Sequence, residues 1–151
     1  ALILAPTREL AAQIGDSITA YGRFLQVSHT VIFGGVGQGP QEKAMNRGVD
    51  IVVATPGRLL DLMGQGFVQL DAVKTFILDE ADRMLDMGFI PDVERILAML
   101  PKERRTGFFS ATLPTAVEVF AKRLLVNPAR VTINPEQPTV EKICQRLLYV
   151  D

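Results

Sequence analysis

Short unbroken apolar runs alternate along the chain with longer segments whose apolar residues recur at helical spacing. The runs Ala1 to Ala5, Thr30 to Phe33, Ile51 to Ala54, Phe76 to Leu78, Gly107 to Phe109 and Arg130 to Ile133 predict strands. Most are continuous rather than alternating, as expected of strands covered on both faces. Leu10, Ile14, Ile18, Tyr21 and Leu25 keep the spacing of one buried helix face. Val93, Ile96, Leu97 and Leu100 do the same before Pro101, and Val117, Phe120, Ala121 and Leu124 mark a third helix. Thr55-Pro56 predicts an N-cap hydroxyl followed by a proline at the first helical position, where a missing N–H costs nothing. Thr115 to Glu118 has the form of a capping box.

Strands alternating with helices predict an α/β fold: a mainly parallel sheet with helices on both faces, joined by right-handed crossovers. No repeat or low-complexity tract interrupts it. Asn134 to Thr139 is polar and proline-rich and reads as a linker. Val140 to Asp151 is too short for a domain and reads as the first strand of another one.

Composition narrows the class. A length of 151 residues suits one domain with a real core, and 48% hydrophobic with 22% charged residues excludes disorder and a disulfide scaffold. The single cysteine, Cys144, cannot form an internal bridge and suits a reducing cytoplasm; it reads as a buried apolar residue. No apolar run approaches the roughly 20 residues that cross a bilayer. The chain opens inside a strand-like run without Met, which suggests that residues upstream are absent. A net charge of −1 provides no basic field for a polyanion. Any nucleic-acid binding must come from backbone donors and a few placed arginines.

The strongest chemical signal is Phe76-Ile-Leu-Asp79-Glu80-Ala-Asp82. An apolar run ending in two carboxylates puts Asp79 at the C-terminal edge of a parallel strand, where open α/β sheets bind ligands. A carboxylate there can hold Mg²⁺ through water, and Glu80 can orient or deprotonate an attacking water. Taken alone, the same pair serves equally as a helix N-terminal cap. Phe108-Phe109-Ser110-Ala111-Thr112 brings two hydroxyls to another strand end, where an ST-turn is the plainer reading. Pro6-Thr7-Arg8-Glu9-Leu10 joins a strand to a helix whose free N–H groups, with Arg8, could bind phosphate. By itself it is a capped helix with a surface arginine. The glycines from Gly34 to Gly39 fail the dinucleotide spacing. His29 reads as an edge residue, Met84, Met87 and Met99 as packing positions, and Lys102 to Arg105 as a solvated loop.

PTREL, GG, TPGR, LDEAD and SAT occur in an order and at spacings that resemble the first RecA-like domain of DEAD-box ATP-dependent RNA helicases. The resemblance runs from Ala1 to about Asn134, and its wording looks closest to the bacterial RhlE-like branch. It implies domain limits of 1–134 for a RecA-like domain and 135–151 for a linker and the start of a second one. It implies that Asp79 coordinates Mg²⁺ through water and that Glu80 positions the hydrolytic water. Asp82 with Ser110, Ala111 and Thr112 would couple nucleotide state to RNA binding. Pro6, Thr7, Arg8 and Glu9, Gly34 and Gly35, and Thr55, Pro56, Gly57 and Arg58 would grip the RNA backbone, with the helix after Arg58 as a wedge. Such contacts position a strand without reading its sequence.

ATP and Mg²⁺ are the implied cofactors; RNA and a second RecA-like domain of the same chain are the implied partners, with no membrane. No G-x-x-x-x-G-K-[ST] loop occurs in the sequence. In the family that loop precedes the strand at Ala1, so the domain is expected to be truncated at its N-terminus and inactive alone. The alternative is a non-catalytic RNA- or protein-binding module. A DNA helicase of the same superfamily is disfavoured by Ala81 and the Ser-Ala-Thr pattern.

Overall fold

In a computed structural model that describes residues 1–133, the apolar runs form one parallel sheet. Its strands are β1 (Leu2–Leu4), β2 (His29–Ile32), β3 (Ile51–Ala54), β4 (Thr75–Leu78) and β5 (Arg105–Phe108), in the order β2-β3-β1-β4-β5. The helices are α1 (Arg8–Gly22), α2 (Gly39–Arg47), α3 (Pro56–Gly64), α4 (Ala81–Asp86), α5 (Ile90–Ala98) and α6 (Thr115–Leu124). The chain passes from β1 to β2 and β3 on one side, then crosses β1 to β4 and β5 on the other. That reversal makes β1 the switch point, the place where crossovers diverge and leave a crevice beyond the strand ends.

Side-chain alternation divides the core between the two sheet faces. Leu2, Leu4, Val52, Phe76 and Leu78 bury against Leu59 and Leu62 of α3, Val93 and Ile96 of α5, and Val117 and Phe120 of α6. On the other face Ala5 and Val53 pack with Ala11 of α1, flanked by Ile3, Ile14 and Val31. Gly15 lets α1 lie flat there, because a Cβ at that position would overlap the Val31 side chain.

Several local expectations do not survive. Arg130 to Ile133 is not a strand: Val131 and Ile133 are almost fully exposed and pair with no strand among the described residues. Tyr21 and Leu25 keep helical spacing yet are 86% and 65% exposed. A helix as long as α1 runs about 22 Å, whereas a four-residue strand covers about 13 Å. The end of α1 therefore overhangs the sheet. Met84 is buried, but Met87 and Met99 are exposed. The capping box is displaced, since Pro114 is the N-cap of α6 and Thr115 already lies inside the helix. Glu118 instead pairs with Lys122 at 3.1 Å. Thr55 does occupy the N-cap of α3, with Pro56 after it, but its hydroxyl makes no capping bond. The linker at 134–139, the segment 140–151 and Cys144 lie outside the described residues.

Candidate functional site

Each of the five motif segments follows the C-terminal end of a strand. Read across the sheet edge, Gly34-Gly35 follows β2, Thr55 to Arg58 follows β3, Pro6 to Glu9 follows β1, Asp79 to Asp82 follows β4, and Ser110 to Thr112 follows β5. The strand order thus sorts them. Gly34, Gly35, Arg8 and Arg58 gather on one half of the edge, with Glu9 the one carboxylate among those segments, and Asp79, Glu80, Asp82, Ser110 and Thr112 on the other.

The acidic half is built from a turn that the backbone must force. Glu80 sits in the left-handed region at φ 46°, ψ 54°, an uncommon place for a residue with a Cβ. Three hydrogen bonds define it: the Asp79 amide to the Leu4 carbonyl (3.0 Å), the Glu80 amide to Asp79 Oδ1 (2.9 Å) and the Ala81 amide to the Phe109 carbonyl (3.0 Å). The turn starts α4 and leaves Asp79 and Glu80 half-buried at the crevice.

Asp82, in the first turn of α4, is tied to the segment after β5. Its Oδ2 accepts the Thr112 hydroxyl at 2.7 Å and the Thr112 amide at 2.9 Å. Its own amide donates to Ser110 Oγ at 3.1 Å, and the Ser110 hydroxyl donates onward to the Thr112 carbonyl at 2.7 Å. Ala111 spans the two as an exposed link. Desolvation pushes the Asp82 carboxyl up, but the Thr112 bonds, the nearby Ser110 hydroxyl and the Arg83 amide together outweigh it and hold the group below the ordinary carboxylate value.

The basic half is a groove of about 510 Å³ lined by Pro6 to Glu9, Gly34, Gly35, Thr55, Gly57 and Arg58, with Met87 and Phe89 at its rim. Pro56, buried in α3, supports the wall from behind. Thr7 caps α1 by accepting the Leu10 amide at 3.2 Å, so one of the helix-end donors counted as free is already engaged. Arg8 Nη1 donates to the Gly34 carbonyl at 3.4 Å, and both Arg58 Nη atoms donate to the Val36 carbonyl at 3.3 and 3.4 Å. Gly35 has φ 81°, and a Cβ there would overlap the Arg8 guanidinium. Met87, read in the sequence as a packing position, lines the groove instead, and Phe89 went unread because it lies beyond the acidic motif. The turn at Gly88 (φ 74°) that swings them back to the groove was their one signal. His29 begins edge strand β2, and Arg104 of the solvated loop bends onto the Pro101 carbonyl at 2.7 Å.

Residues 1–120 match the DEAD/DEAH box helicase family. The chain belongs to that family. It is 50% identical over 132 residues to DEAD-box ATP-dependent RNA helicase 40 of Arabidopsis thaliana, which covers 87% of this chain and 12% of that protein. It is 44% identical over 149 residues to DEAD-box ATP-dependent RNA helicase 30 of Oryza sativa subsp. japonica, covering 99% of this chain and 22% of that protein. Among solved structures, a DEAD box protein from Methanococcus jannaschii superposes with a TM-score of 0.79 at 46% identity, over 83% of this chain and 34% of that one. The fold of this DEAD-box chain is therefore RecA-like α/β. It spans less than a third of the length of these curated relatives.

The donor set defines what a metal could find here. Among the described residues no three acidic, histidine or cysteine side chains converge into a cage. A single strand-end carboxylate suits Mg²⁺, which keeps most of its waters and takes further oxygens from a phosphate. Asp79 fits that chemistry and would fit no all-protein calcium or zinc site.

Proposed function

We propose that this chain forms part of the first RecA-like half of an ATP-dependent RNA helicase, pairing with a second such half of the same protein. The observation that carries this reading is the sorting of five family motifs along one sheet edge. The likeness to proteins named as ATP-dependent RNA helicases supports the choice of ATP and RNA. When bound, Mg²⁺ would supply charge neutralisation for the triphosphate. Asp79 would hold that ion through water, with Oδ1 kept in place by the Glu80 amide. Glu80 would orient the attacking water and take its proton.

Asp82, Ser110 and Thr112 would carry changes at that centre toward the second half. The RNA backbone would lie in the groove of Pro6 to Glu9, Gly34, Gly35 and Thr55 to Arg58, held by main-chain donors and by the N-termini of α1 and α3. A cytoplasmic setting and the bacterial RhlE-like branch belong to the same proposal. The lone cysteine supports the first, and the strings around TPGR and DEAD support the second. The test is titration of a labelled single-stranded oligoribonucleotide into the chain at several salt concentrations. Weak, sequence-indifferent binding that falls with salt is expected. Arg8→Ala and Arg58→Ala leaving the affinity unchanged would overturn the groove assignment.

A further inference from the structure

One acidic residue stands where electrostatics disfavours it. Asp61 lies on α3 one turn after Arg58, beside a groove read above as an RNA site, and half of its side chain is exposed. A carboxylate there repels phosphate, so it needs a local reason to be present. The structure supplies one. Asp61 Oδ2 is 3.6 Å from Arg58 Nε, and its Oδ1 accepts from Gln65 Nε2 at 2.9 Å. Gln65 Oε1 in turn accepts from Gln38 Nε2 at 2.9 Å, and Gln38 belongs to the loop between β2 and α2. The chain of contacts closes on itself, because Arg58 donates through both Nη atoms to the Val36 carbonyl of the same loop.

We propose that Asp61, Gln65 and Gln38 are positioning residues that hold Arg58 on the Val36 carbonyl and brace the glycine loop against α3. The brace has a second anchor at the loop base, where buried Gln41 donates to the Phe33 carbonyl at 3.0 Å. Arg8 takes the Gly34 carbonyl between them. The carbonyls of Phe33, Gly34 and Val36 are thus all occupied by the protein's own side chains. The loop also presents N–H donors, which suit phosphate. Arg58 acts mainly through the loop, because both Nη atoms already engage the Val36 carbonyl and its Nε faces the Asp61 carboxylate. This inference rests on the RNA reading of the groove, but the brace itself can be observed without RNA.

The sign of one effect separates positioning from charge. Removing Asp61 adds one positive charge beside the groove, which on electrostatics alone tightens RNA binding. The brace predicts the opposite: Asp61→Ala weakens binding of a labelled single-stranded oligouridylate by about fivefold, and uncharged Gln65→Ala and Gln38→Ala weaken it by about two- to threefold. In an Arg58→Ala background Asp61→Ala has little further effect, as expected of residues acting through one another. Tighter or unchanged binding in Asp61→Ala overturns the brace while leaving the RNA reading intact.

The second arm is the NMR signal of Arg58 Nε–Hε in the RNA-free chain. Slow solvent exchange that accelerates in Asp61→Ala and Gln65→Ala supports the brace, and exchange unaltered by either overturns it. If the chain binds no RNA at all, the groove assignment fails and this arm alone decides.

Discussion

Thr112 holds Asp82 twice, its hydroxyl at 2.7 Å and its amide at 2.9 Å from the same carboxylate oxygen. The contact spans thirty positions of sequence and joins the helix after β4 to the end of β5. It is the tie between the acidic turn and the hydroxyl segment. A two-pronged grip on one oxygen restrains direction as well as distance, so movement of either segment must break it or carry the other along. Thr112→Val keeps the shape and the amide bond and removes the hydroxyl. The expected loss is about 1 kcal/mol in urea unfolding, below the usual range for a bond to a charged group because Thr112 is exposed. Loss of several kcal/mol, or none, would show that the tie is not local in this way.

The same contact sets a pH dependence. The Asp82 carboxyl is held below its ordinary value in the folded chain, so it binds protons more weakly there than when unfolded. Its contribution to stability is therefore fully present above the ordinary carboxylate range. It is lost as pH falls through that range toward the lowered folded value. The measurement is the unfolding free energy of the wild type minus that of Asp82→Asn, followed from about pH 7 to about pH 2.5. A difference that is level near neutrality and shrinks with acid is expected. One that stays level throughout, or grows, contradicts the assignment.

Gly35 offers a sharper structural test. Alanine there meets two obstacles: a left-handed φ of 81° and the Arg8 guanidinium in the space its Cβ would take. The side chain of Arg8 can swing away, but the backbone cannot relax without remaking the loop. Gly35→Ala is expected to cost about 1–2 kcal/mol, the usual penalty for a Cβ in that region. It should also displace Arg8 from the Gly34 carbonyl and weaken RNA binding. Gly37→Ala, with open space at the Cβ position and no positive φ, is the control and should do neither. Equal behaviour of the two variants would refute the argument.

How much of this was legible beforehand depended on whether burial or partnership decided the outcome. The runs Ile51 to Ala54 and Phe76 to Leu78 announce strands because both sheet faces bury them, and burial needs no knowledge of the neighbour. Val131 and Ile133 look the same in sequence, but a strand requires an edge to pair with, and they meet none among the described residues. Tyr21 and Leu25 fail for a third reason: helical spacing says which face is apolar, not how far the sheet beneath it extends. At the site, the motifs place each chemical group at a strand end, and the strand order then decides which motifs become neighbours. Gln38, Gln65 and Asp61 carried no signal, since ordinary polar residues acquire meaning only when the fold brings 38 beside 65.

The last expectation concerns turnover. Asp79 and Glu80 stand at the crevice in a turn fixed by two main-chain bonds and by the Asp79 carboxylate. Phosphoryl transfer depends mostly on positioning and charge stabilisation around the triphosphate. The sequence contains no glycine-lysine loop to hold one. This chain by itself is therefore expected to show no RNA-stimulated ATP hydrolysis above background in a phosphate-release assay. Glu80→Gln should leave that background unchanged, because a water-positioning carboxylate without a positioned substrate contributes nothing to lose. Hydrolysis by the wild-type chain that disappears in Glu80→Gln would show that the triphosphate is held by other residues, and the groove and the crevice would then have to be reassigned.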